Sequence, residues 1–210
     1  MTTETLIQII KITPLVILSI GTLLLVYNKN YKGILFGVIG LLALEVFSFV
    51  LTQKSNSDHL WTFYFSGPLY LLLIHSIYDG LSLSFLNKKS YKIMMSIVLI
   101  TMLIGIVYIH DENPNFVLHY TAIIELLVLL YPIFYFVRLM KQTIPYNFKE
   151  FILHAIIFLF FSLEIILFVM LKFLLDNNIL SDVRIGLFRF FLIQLFYISL
   201  IYFGCKLGKK

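Results

Sequence analysis

The chain has 210 residues, 60% of them hydrophobic and only 13% charged, with a mean hydropathy of +0.97. Soluble domains carry about 25% charged residues, so this composition excludes a soluble enzyme or a nucleic-acid-binding domain and predicts an all-α polytopic membrane protein. The net charge of +5 is read by position along the chain, and the single Cys205 excludes an internal disulfide and carries no metal-site spacing.

Seven apolar runs predict seven transmembrane helices in one domain spanning 1–210. They lie at about 6–27, 33–51, 60–82, 93–109, 116–140, 151–175 and 183–205. The N-terminus lacks a basic region and a small-residue cleavage site, so the first run reads as a retained helix. Pro14 falls near the start of helix 1, and Gly67-Pro68 predict a kink in helix 3. Helix 4 has no ionisable residue between Ile93 and Ile109, which predicts a lipid-facing helix with Thr101 and Gly105 on its close-contact face. Helix 6 carries Glu164 near its midpoint. A carboxylate at that depth costs at least about 2.5 kcal/mol unless it is partnered, protonated or hydrated, and the other helices are expected to pack around it.

Basic residues alternate between the helix boundaries. One side holds Lys29, Lys32, Lys88, Lys89, Lys92, Arg138, Lys141, Lys149, Lys206, Lys209 and Lys210. The other has Lys11, Lys54, Lys172, Arg184 and Arg189 among Glu4, Asp58, Asp111, Glu112, Asp176 and Asp182. The positive-inside rule then predicts the N-terminus outside and the C-terminus in the cytoplasm. The wealth of Ile, Phe, Lys and Asn against little Ala suggests an AT-rich bacterial genome, and with the predicted topology the expected location is the bacterial inner membrane.

This topology converts position into depth. From the outer helix ends, Glu125 lies about 14 Å down, Glu164 about 16 Å, Glu45 about 10 Å and Arg189 about 9 Å. Glu45, Ser48 and Thr52 share one face of helix 2, and Thr121 and Glu125 share one face of helix 5. Tyr70 of helix 3 lies at similar depth. The candidate ligand-binding set is therefore Glu45, Ser48, Tyr70, Glu125, Glu164 and Arg189, lining a polar pocket open to the outside. Three carboxylates against one arginine cannot all be ionised at low cost, so the balance calls for a proton on at least one. The competing reading is interhelical glue, each Glu bonding a carbonyl or a tyrosine.

His59, His110 and His119 fall at outer helix ends without a short metal-ligand spacing, so no metal is predicted. His75 and His154 read as satisfied core histidines rather than haem ligands, and no cofactor is expected. Asp79 is expected to face the interface or pair with Lys88 or Arg138. Trp61 and Tyr27, Tyr64, Tyr91, Tyr108, Tyr120, Tyr135 and Tyr202 lie toward helix ends and read as an aromatic belt. No H-E-x-x-H, G-x-S-x-G or Walker A sequence is present, and helix 7 has no central lysine for a retinal Schiff base.

The pieces ALEVFSFVL, LWTFYFSGPLYLLL, TAIIELLVLL and FLFFSLEIILFVM resemble a group of small seven-helix membrane proteins of Bacteroidota without an established activity. The resemblance places Glu45, Ser48, Trp61 and Glu125 on that group's polar and aromatic positions. Ser162-Leu163-Glu164 replaces an aromatic-Ser-Gly-Asn run of the group. It implies a sensory or accessory module that binds a small ligand, lipid or partner helix and works with a membrane or cytoplasmic signalling partner, alone or as an oligomer. A small proton-coupled transporter is the alternative, and a lipid-modifying enzyme with Glu125 or Glu164 as base ranks third.

Overall fold

A computed structural model describes residues 3–27, 32–54, 61–109, 116–176 and 183–207. The regular structure among them is helical throughout. It comprises α1 (Thr3–Tyr27), α2 (Lys32–Lys54), α3 (Trp61–Gly80), α4 (Lys88–Ile104), α5 (Phe116–Met140), α6 (Phe148–Asp176) and α7 (Val183–Leu207). A single π-turn, Gly105–Ile109, continues α4.

Side-chain contacts fix the relative directions. Gly37 of α2 abuts Leu73 of α3 while Gly40 abuts Leu69, so these two helices run antiparallel. Gly21 and Leu25 of α1 meet Ile201 and Gly204 of α7 in the same order, so that pair runs parallel. A closed ring results, α1–α2–α3–α5–α6–α7, with α7 returning to α1 and α4 lying outside against α3. At Gly37 even a methyl group would overlap the Leu73 side chain, so glycine sets the approach of α2 to α3.

Helix 6 was expected at the centre, but the structure makes it one member of the ring, with α3 another buried member that meets it at Phe63–Phe168 and Tyr70–Phe161. Between Tyr64 and Tyr78 almost every α3 residue is buried or half-buried, Ser66 and His75 included. A helix carrying that many hydroxyl and imidazole groups is cheapest where other helices can bond them. Conversely, α4 has no mid-helix ionisable group and is the most peripheral, with Ile93, Ile97, Ile100, Leu103 and Val107 all exposed. It is pinned by Val98 and Gly105, whose carbonyls accept from Tyr120 Oη at 3.2 Å and Tyr64 Oη at 3.4 Å. Thr101, expected beside Gly105 on the contact face, instead bonds back to the Ile97 carbonyl at 2.9 Å.

Local chemistry explains the boundaries. α4 begins at Lys88 because the Asn87 side chain accepts from the Ser90 amide at 2.8 Å. α3 runs through Pro68 without a break, and the Phe63 carbonyl one turn before it accepts from Thr121 at 3.2 Å. α3 and α5 stop alike. Leu83 N–H reaches Tyr78 O at 2.8 Å, Thr143 N–H reaches Arg138 O at 3.0 Å, and Ser82 and Gln142 adopt φ of 57° and 54°. These are Schellman closures with a non-glycine residue at the left-handed position. Gln142→Gly is expected to raise stability by about 1 kcal/mol, read as an upward shift of the thermal midpoint in detergent.

Four described stretches are long and apolar enough to cross a membrane: Lys88–Ile109, Phe116–Met140, Phe148–Met170 and Phe188–Cys205. Two shorter apolar stretches, Ile12–Tyr27 and Ile34–Val50, stand beside them. α3 is not among them, which fits its polar content and its burial.

Candidate functional site

Five helices bring polar groups to one level of the bundle. α6 offers Glu164, which is 1% exposed, and α7 offers Arg189, whose Nε donates to Glu164 Oε2 at 3.1 Å. The guanidinium lies over two phenyl rings, 4.7 Å from the centre of Phe63 and 5.2 Å from that of Phe168. Those rings meet edge to face at 5.3 Å, so the cation is stacked as well as paired. Its side chain remains 21% exposed, which makes it the accessible member of the pair.

Glu125 of α5 is 1% exposed, within electrostatic range of both Glu164 and Arg189. Its Oε2 and the Oε1 of Glu164 have no hydrogen-bond partner among the described residues. Thr121, one turn earlier on the same face, is spent on the Val117 and Phe63 carbonyls at 2.9 and 3.2 Å. On the opposite flank, Glu45 of α2 is half-buried and accepts from Tyr197 Oη of α7 at 3.0 Å. Tyr70 of α3 sits between the two halves. Its hydroxyl lies near that of Tyr197, and its ring meets Phe161 at 5.4 Å and Phe196 at 6.1 Å. Phe196 in turn stacks on Phe160 at 3.9 Å, forming a floor of aromatic rings beneath the acids.

Of the six residues singled out from the sequence, the structure thus brings Glu45, Tyr70, Glu125, Glu164 and Arg189 together. Ser48 is half-buried on α2 and joins none of the cluster's hydrogen bonds. The side chain of Thr52 lies outside the described residues. Sequence reasoning missed Tyr197, the partner of Glu45, and Gln194, which is 6% exposed with both amide atoms unpartnered among the described residues. Their i, i+3 spacing on an otherwise apolar helix was the available signal.

The histidines divide. His75 shares a 2.8 Å hydrogen bond with Tyr131 Oη and stacks on Tyr91 at 3.4 Å, a satisfied core histidine. His154 is not satisfied: it is fully buried between Tyr78 at 4.7 Å and Tyr135 at 3.6 Å, with neither ring nitrogen partnered among the described residues. The hydroxyls of Tyr78 and Tyr135 are unpartnered in the same sense. His119 is exposed, His59 and His110 lie outside the described residues, and no group of three or more His, Cys, Asp or Glu side chains gathers among the described residues. Asp79 is exposed and forms no ion pair with Lys88 or Arg138. The aromatic belt needs correction: Tyr27, Tyr108 and Tyr202 are exposed, but Tyr64, Tyr120 and Tyr135 are core residues, at most 4% exposed. Position along a helix sets depth, whereas the direction around it depends on which helix packs alongside.

Apolar spans outside and a polar cluster inside define a helical membrane protein. Comparison of the chain with protein-family models, with curated proteins and with solved structures returns no match in any of the three.

Proposed function

We propose that the protein is a seven-span membrane sensory or accessory module of the bacterial inner membrane, with its N-terminus outside and C-terminus in the cytoplasm. It binds a small ligand through the cluster of Glu45, Tyr70, Glu125, Glu164 and Arg189, and passes the bound state to a membrane or cytoplasmic partner. The observation that carries this reading is Arg189, an intramembrane cation that is paired through Nε, stacked on two rings and still partly exposed. Groups of this kind inside a membrane mark ligand and ion sites more often than packing.

The test is a thermal-shift screen of the purified chain against small anions, amines and lipid headgroups. A true ligand at about 100 times its Kd adds about 2.7 kcal/mol, roughly 5–10 °C for a chain of this size. The shift should vanish in Arg189→Gln and weaken in Glu45→Gln, each compared with its own unliganded midpoint. Equal shifts in wild type and both variants would remove the cluster from ligand binding. A small proton-coupled transporter stands as the second reading, favoured by the sealed, unpartnered oxygens of Glu125 and Glu164. Flux driven by a pH gradient in liposomes, lost in Glu125→Gln, would move the assignment there.

A further inference from the structure

Toward the other end of the bundle from Glu164 and Arg189, the first turns of α6 and the last turns of α7 flank an open groove of about 460 Å³. Its deeper walls are Ile152, Ile156 and Ile198, and its lining also includes Ser199, Tyr202 and Lys149. Lys149 and Tyr202 lie with Phe148 and Phe203 at the bundle end where α6 begins and α7 finishes, so the groove is largely apolar with a single cation at that end. Along α6 the run from Lys149 to Ile156 is about 10 Å.

Charge selects the occupant. The Lys149 ammonium forms no ion pair among the described residues, and other exposed basic side chains at this bundle end include Lys88, Lys89, Lys92 and Lys141. The adjacent acid, Glu150, is half-buried and accepts from Asn147 Nδ2 at 3.0 Å, so it is turned to its own helix start. An uncompensated cation at the mouth of an apolar slot matches an amphiphile with a negative head and a hydrocarbon tail. A partner helix is about 10–12 Å across with its side chains, too wide for a slot of this volume. Basic pockets between spanning helices hold anionic headgroups by the same electrostatics.

We propose that this groove is a binding site for an anionic phospholipid, with the phosphate at Lys149 and an acyl chain laid between α6 and α7 toward Ile156 and Ile198. The site is separate from the proposed ligand cluster and stands whether or not that reading does.

The experiment is native mass spectrometry of the full chain released from detergent, titrated with phosphatidylglycerol or phosphatidylethanolamine. Wild type should hold one phosphatidylglycerol at about fivefold lower lipid concentration than phosphatidylethanolamine. Lys149→Gln should abolish that preference, and Ser199→Trp, which fills the groove, should weaken both lipids about fivefold or more. Thermal midpoints check that both variants fold, and because Lys149 is exposed, Lys149→Gln should match wild type there. Excess soluble glycerol phosphate should leave the lipid adduct in place. Equal binding of the two lipids by wild type, unchanged preference in Lys149→Gln, or displacement by glycerol phosphate would each overturn the proposal, the last in favour of a soluble anion.

Discussion

Arg189→Met should be the most damaging single substitution in the cluster, lowering stability by about 3–5 kcal/mol. For a chain of this size that is roughly 6–20 °C in the thermal midpoint. Removing the guanidinium leaves Glu164, 1% exposed, and its sealed neighbour Glu125 without the cation that both face. It also strips the stacked cation from Phe63 and Phe168. The converse change is milder. Glu164→Gln removes the anion but leaves an arginine that is 21% exposed and still held by two rings, and the amide oxygen can accept from Nε. A loss of about 1–2 kcal/mol is expected there.

The double variant Glu164→Gln/Arg189→Met separates pairing from packing. If the arginine acts chiefly by compensating Glu164, the double variant should recover a large part of the single-variant loss, because an uncharged amide needs no counter-ion. The midpoints should change only modestly with salt, since Glu164 is buried and only Arg189 is partly open to ions. A double variant no better than Arg189→Met would assign the loss to stacking rather than pairing, and an Arg189→Met within about 1 kcal/mol of wild type would show that neither contributes much.

Much of this arrangement was legible before any coordinates. Apolar runs and polar punctuation located every described helix to within a few residues at most ends, because backbone groups in a bilayer must be satisfied within the helix itself. Depth arithmetic put Glu45, Glu125, Glu164 and Arg189 within one layer, and the structure brings them into one cluster. Direction around each helix was not legible. Tyr64 and Tyr108 both lie near helix ends, yet one is fully buried and the other 73% exposed, a difference set by α4 crossing α3 at Gly105. The same blindness made α6 look central, because Glu164 at its midpoint was the group the other helices were expected to pack around. The polar, proline-bearing α3 is buried or half-buried from Tyr64 to Tyr78, with Tyr64 bonded to Gly105 beyond α4 and His75 to Tyr131 of α5. Helix starts set by side-chain caps, such as Asn87, were also missed when hydropathy alone drew the boundary.

The tyrosines of the core should respond to removal of their hydroxyls with opposite signs. Tyr197→Phe takes the donor from Glu45 and should cost about 1.5–3 kcal/mol, the range for a bond to a charged group. Tyr131→Phe takes the partner from His75 and should cost about 0.5–1.5 kcal/mol. Tyr78→Phe and Tyr135→Phe delete hydroxyls that have no partner among the described residues, keep both rings, and should each raise stability by about 1–3 kcal/mol. Thermal midpoints for the four variants in one detergent decide the matter. A gain at Tyr78 and Tyr135 would mean that the chain retains two hydroxyls and the His154 ring at a standing loss of stability, the pattern expected where function opposes packing. A loss at either would mean that its hydroxyl is bonded in the working protein, making His154 and its two tyrosines a hydrated core element. With the ring contacts kept in every variant, the sign reports on the hydroxyl alone.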